Sequence, residues 1–149
     1  MKQLEIEAAI QVLKPQAEVF EAIVAPKKMS HYFISGSTGR MEEGKSLEWK
    51  FPEFDMKVPV KVISVKPAEQ ITFEWEGAKG NSLQVQITLK DVSGSTLVKI
   101  TEGKMESDEE GLKWYGQNSG GWANFLACLK AYLEYGINLR KGAFDFMKA

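Results

Sequence analysis

The chain has 149 residues, of which 44% are hydrophobic and 26% charged, and its formal net charge is -1. A chain of this length suits one domain that buries roughly 68–70% of the surface its unfolded form exposes, and the composition is globular, which excludes fibrous and disordered classes. With no surplus of cations to neutralise phosphates, nucleic acid is excluded as a partner.

The opening MKQLEIEAAI carries charges where a signal peptide needs an apolar stretch, so the expected location is the cytoplasm. Leu4, Ile6, Ala8, Ile10 and Val12 alternate with polar neighbours, and the period of two predicts a strand over roughly residues 3 to 13. Pro15 stands where a helix can begin, Val19, Phe20, Ile23 and Val24 recur at helical spacing, and Pro26 stops the pattern. A second short helix is expected from Pro26 to about Phe33.

Strands follow. Leu47, Trp49 and Phe51 share one face, as do Ile71, Phe73 and Trp75, then Leu83, Val85, Ile87 and Leu89, then Thr96, Val98 and Ile100. The turn-rich pieces MEEGK, KPAEQ, EGAKGN and DVSGS separate them, and such short connections predict an antiparallel meander. Between Phe54 and Val65 the apolar phase shifts near Val62 and Ile63, which predicts a bulge or bend, and Pro59 calls for an edge or bulge position.

The last third changes period. Ser107 with Glu110 reads as a capping box opening a helix, and Gly116, Gly120 and Gly121 predict a kink with a second start at Ser119. From Trp122 a stripe of Phe125, Leu126, Leu129, Tyr132 and Leu133 runs to Gly136, a C-cap. No run is long and apolar enough to suggest a membrane span. The single cysteine, Cys128, reads as a buried filler of this helix.

This layout implies an α+β fold in which a curved six- to seven-stranded antiparallel sheet wraps a long C-terminal helix, with two short helices after the first strand. One helix about 10–12 Å wide cannot fill the hollow of such a sheet, so rings or a ligand must occupy the remainder. Trp49, Phe51, Phe73 and Trp75 from the strands, with Tyr115, Trp122 and Phe125 from the helical region, are the candidate lining, and His31 and Phe33 in SHYF sit beside them. Gln117 and Asn118 are candidates for polar groups aimed at the same space. Aromatics of this kind equally serve as plain core filling.

Several local motifs occur in a familiar order: PQAEVFEAIVAPKKMSHYF, ITFEWE, STLVKITEG and GGWANFLACLKAYLEYG. In these the chain resembles the START-like (SRPBCC) helix-grip superfamily, and within it the group similar to the activator of the 90-kDa heat-shock protein ATPase. The resemblance spans essentially all of residues 1–149 and implies one START-like domain. It also implies a cavity for lipids, polyketides or flavonoid-like rings, a co-chaperone contact with a heat-shock ATPase as the alternative, and cyclase or hydrolase chemistry in a few members.

Catalytic and cofactor chemistry is not expected from the residues. His31 is the only histidine, which leaves no zinc-ligand spacing and one residue for any Ser-His-Asp arrangement. No phosphate-binding GxxxxGK[ST] occurs. Glu48, Glu74 and Glu76 alternate with inward positions and are expected on the outer face, and the run SDEEG reads as helix capping. The expected function is non-enzymatic binding of a hydrophobic small molecule, in a stress-related setting, with no cofactor and no metal. A heat-shock chaperone is the other partner considered.

Overall fold

The computed structural model describes residues 2–77 and 80–148. Seven strands form one sheet: β1 (Gln3–Val12), β2 (Gly36–Ser37), β3 (Ser46–Lys50), β4 (Lys57–Lys66), β5 (Gln70–Glu76), β6 (Ser82–Val92) and β7 (Ser95–Glu106). All pairings are antiparallel, in the order β1-β7-β6-β5-β4-β3-β2, so a meander from β2 to β7 is completed by the first strand lying beside the last. Helices α1 (Gln16–Val24) and α2 (Pro26–Met29) follow β1, and α3 (Glu109–Tyr135) crosses the sheet. The expected second helix thus ends at Met29, and residues 30 to 33 form turns. Two residues of the EGAKGN turn, 78 and 79, lie outside the described residues.

The alternation read in the strands is the alternation of the core. Leu47, Trp49, Val60, Val62, Ile71, Phe73, Val85, Ile87, Val98 and Ile100 are all buried, and each row removes a continuous apolar surface from water. Glu48 and Glu76 are exposed and the part-buried Glu74 accepts from Ser82, as expected of an outer face. The phase shift in β4 is a register irregularity between Val62 and Ser64. Pro59 pairs with Glu48 in β3, in the part of β4 that lies beyond its pairing with β5. Its missing N–H therefore costs no ladder bond.

Two expectations about α3 need correction. The N-cap is Asp108, one residue beyond the expected Ser107, and its Oδ1 accepts from the Gly111 N–H at 2.8 Å. Gly111 is required there, because an added Cβ would stand 1.8 Å from the Glu106 carbonyl oxygen. Nor does the helix break: it runs unbroken for 27 residues to Gly136, whose φ of 67° closes it in the left-handed cap expected. Gly116, Gly120 and Gly121 are exposed, while Trp114, Trp122, Phe125, Leu126 and Leu129 are buried. Burial of those side chains outweighs the roughly 1 kcal/mol that each glycine costs a helix interior.

Two side chains of α3 fasten it to the end of β1. Glu134 accepts from the Leu13 N–H at 2.8 Å, and Lys130 donates to the Gln11 carbonyl at 2.7 Å while pairing with Glu134. Burial works to raise the Glu134 carboxyl, but the Leu13 N–H and the Lys130 ammonium outweigh it and hold the group below the usual carboxylate range. Cys128 is buried as expected, and burial pushes its thiol up. Among the described residues, no helix is long and apolar enough to cross a membrane.

Candidate functional site

The hollow between sheet and helix divides into a packed part and an open part. In the packed part, Trp49, Phe73 and Phe125 are essentially inaccessible, and their rings meet at edges, with Trp49–Phe73 at 5.5 Å and Phe33–Phe125 at 4.7 Å. These three candidates back the wall and do not line the cavity. Such contacts supply both buried area and edge-to-face attraction.

The open part is a cavity of about 720 Å³, within the range of roughly 300–1,000 Å³ usual for small-molecule sites. Phe33 and Trp75 form one side of it, and Gln117, Asn118 and Trp122 from the middle of α3 another. Phe51, Glu53 and Phe54 come from the β3–β4 connection, and Arg140, Phe144 and Met147 from the segment after α3. Gly120 and Gly121 also face it, and a Cβ built on either meets nothing within 4 Å. The glycines that suggest a kink in the sequence instead leave room along the helix surface.

The structure thus brings Phe33, Phe51, Trp75, Asn118 and Trp122 together and leaves two other candidates outside. His31 is exposed and stacks on Tyr132, with ring centroids 5.5 Å apart and planes within 5°. One turn of chain carries Tyr32 inward instead, where its hydroxyl donates to the Ala22 carbonyl and burial holds it well above the usual phenol range. Tyr115 is exposed on α3 beside Trp114, because its position on the helix turns away from the sheet.

Sequence reasoning missed the polar residue that organises the wall. Glu102 on β7 is fully buried. Its Oε2 accepts from Trp75 Nε1 at 2.7 Å, and its Oε1 accepts from Trp122 Nε1 at 2.8 Å and Asn118 Nδ2 at 3.1 Å. One carboxyl group therefore fixes two indoles and an amide drawn from β5 and α3. Because both indole N–H groups are engaged by Glu102, Trp75 and Trp122, 5.4 Å apart, present apolar surface to the cavity. The signal was in the sequence: the inward series Thr96, Val98, Ile100 continues at the next alternate position to Glu102.

A second polar pair was also missed. Arg140 Nη2 donates to Glu53 Oε1 at 2.7 Å, and the two side chains are only 14% and 3% exposed. The guanidinium carbon lies 5.5, 5.6 and 4.8 Å from the ring centres of Phe33, Phe51 and Phe144, close enough for cation–π attraction. Neither residue stands in a periodic stretch, so alternation could not mark them. Among the described residues, no cluster of His, Cys, Asp or Glu is arranged to hold a metal ion.

Residues 14–134 match the family model described as Activator of Hsp90 ATPase homolog 1-like protein. The fold is similar to that of a Staphylococcus saprophyticus protein at 31% identity and a TM-score of 0.82, covering 92% of this chain and 96% of that one. It is also similar to a putative protein of the dynemicin biosynthetic locus, 25% identical, with a TM-score of 0.79 over 89% of this chain; the match spans 48% of that protein. The Aha1 dimer of Colwellia psychrerythraea shares the fold, with 18% identity, a TM-score of 0.77, and coverage of 89% of this chain and 98% of that one. No curated protein matches the chain.

Proposed function

Because the chain belongs to the family of Activator of Hsp90 ATPase homolog 1-like proteins, with the START-like helix-grip fold that goes with it, we propose that it binds a hydrophobic, ring-containing small molecule and does so without catalysis. The observation that carries this reading is the cavity of about 720 Å³ between sheet and helix, walled by Phe33, Phe51, Trp75 and Trp122 with a few polar groups. Apolar walls with sparse, fixed polar groups are the usual makeup of ligand sites. The likeness to a putative protein of the dynemicin biosynthetic locus supports a ligand of the kind handled in small-molecule biosynthesis.

A panel of fatty acids, sterols and flavonoid-like compounds tests the proposal, read by tryptophan emission and melting temperature. A true ligand at one hundred times its Kd adds about 2.7 kcal/mol of stability. If no member of the panel shifts either signal, the proposal fails.

The family description and the fold shared with Aha1 support a second reading, contact with a heat-shock ATPase. A pull-down with the host chaperone followed by an ATPase assay decides it, and neither binding nor a change in rate would remove it. A cyclase or hydrolase reading rests on His31, and that side chain stacks on Tyr132 away from the cavity wall.

A further inference from the structure

Arg140 carries far more hydrogen-bonding capacity than the protein uses. A guanidinium has five N–H donors in a rigid plane, and here one nitrogen is bonded, Nη2 to Glu53. Nε is buried with no partner, and Nη1 makes no hydrogen bond to any described residue. Buried polar groups in folded proteins nearly always find partners, and Nη1, which unlike Nε keeps some accessibility beside a ligand-sized cavity, is the donor left for an occupant.

The surroundings define what would complete it. Three phenyl rings crowd the guanidinium, which limits access by bulk water and strengthens any bond made there. Glu53 already balances the charge of Arg140, and a second buried carboxyl group, Glu102, stands behind the indoles of the same wall. A further anion would add an unbalanced charge to this wall, which is costly where water is scarce. A neutral acceptor oxygen gains a charge-assisted bond without that cost.

Resting on the cavity-binding reading above, we propose that Arg140 is the specificity-determining residue of the site, and that it selects planar aromatic compounds bearing a neutral carbonyl oxygen over bare hydrocarbons and over aromatic carboxylates. The rings lie against Trp75 and Trp122, and the carbonyl accepts from the N–H groups of Nη1.

Three probes with one ring system test this: fluorene, 9-fluorenone and fluorene-9-carboxylate, titrated by calorimetry into the intact protein. The expected result is that fluorenone binds roughly tenfold tighter than fluorene, the value of one charge-assisted hydrogen bond, and that the carboxylate binds more weakly than fluorenone. Arg140→Met should abolish the preference, bringing the ratio of fluorenone to fluorene affinity from roughly ten to near one. Since that variant strands Glu53 in the wall, the double variant Arg140→Met/Glu53→Gln, which removes both charges together, is measured beside it with its melting curve, and should also bind the two neutral probes equally. Equal binding of fluorene and fluorenone to the parent protein, or tightest binding of the carboxylate, overturns the role of Arg140 while leaving the cavity reading intact. Binding by none of the three overturns both.

Discussion

Replacing Glu102 probes the wall at the point where β5, β7 and α3 meet. In Glu102→Gln the side-chain amide keeps one oxygen, which can serve Trp122 Nε1 and Asn118 Nδ2 as Oε1 does now, at 2.8 and 3.1 Å. Its NH2 group then faces Trp75 Nε1, which at present donates to Oε2 at 2.7 Å. Two donors point at each other and one bond is lost, a cost of about 1–3 kcal/mol for a donor left without an acceptor. At roughly 3 °C of melting temperature per kcal/mol for a domain of this size, the fall comes to about 3–9 °C. Glu102→Ala leaves three donors without their acceptor and opens a void, so its loss should be larger, on the order of 3–5 kcal/mol. Differential scanning calorimetry with tryptophan emission reads both effects, since Trp75 must turn to find a new partner. If Glu102→Gln melts within about 2 °C of the parent with unchanged emission, the carboxyl group does not organise the wall.

Three further outcomes are expected. Gly111→Ala, which drives a Cβ to 1.8 Å from the Glu106 carbonyl, should lose several kcal/mol or fail to fold, whereas Gly116→Ala, whose Cβ meets nothing within 4 Å, should gain about 0.5–1 kcal/mol in urea titration; equal effects would refute the tight helix start. Gly121→Leu projects a side chain into the open space facing the cavity and should keep or raise the melting temperature while weakening ligand binding at least about tenfold, the loss of roughly 1.4 kcal/mol; unchanged affinity would place the ligand elsewhere. The carboxyl of Glu134 is held low in the folded state, so its contribution is complete above the unfolded value of about 4.3 and is lost as pH falls through the lower folded value. Glu134→Gln should therefore flatten the acid side of the stability profile, and an unaltered profile would show that the contact with Leu13 contributes nothing.

The sheet was legible because burial on one face forces period-two alternation, and Leu47/Trp49, Phe73/Trp75 and Val98/Ile100 display it openly. Glu102 obeys the same period but is charged, and a charged residue reads as the end of a buried run unless its partners are known; the two indoles and the amide that satisfy it come from residues 16 to 27 positions away. The glycines of α3 misled for a related reason. Helix propensity is local, while the packing of Trp114 and Trp122 that holds the helix straight is not. Composition and direction mark Phe33, Phe51, Trp75, Asn118 and Trp122 as candidates, and these share one cavity wall, but Arg140 and Glu53 lie in irregular segments where only tertiary structure assigns a neighbour. His31 and Tyr115 are each displaced by one residue, since their chain neighbours Tyr32 and Trp114 are the rings that turn inward.

The grip of Lys130 and Glu134 on Gln11 and Leu13 bears on more than helix placement. β1 is a terminal strand, paired on one side only, and such strands offer free peptide groups to any passing chain. At the end of β1 two of those groups are occupied by an ammonium and a carboxylate from α3. The same side chains that clamp the helix thus deny a stranger's backbone its first rungs, and keep a sheet with an open border from recruiting another.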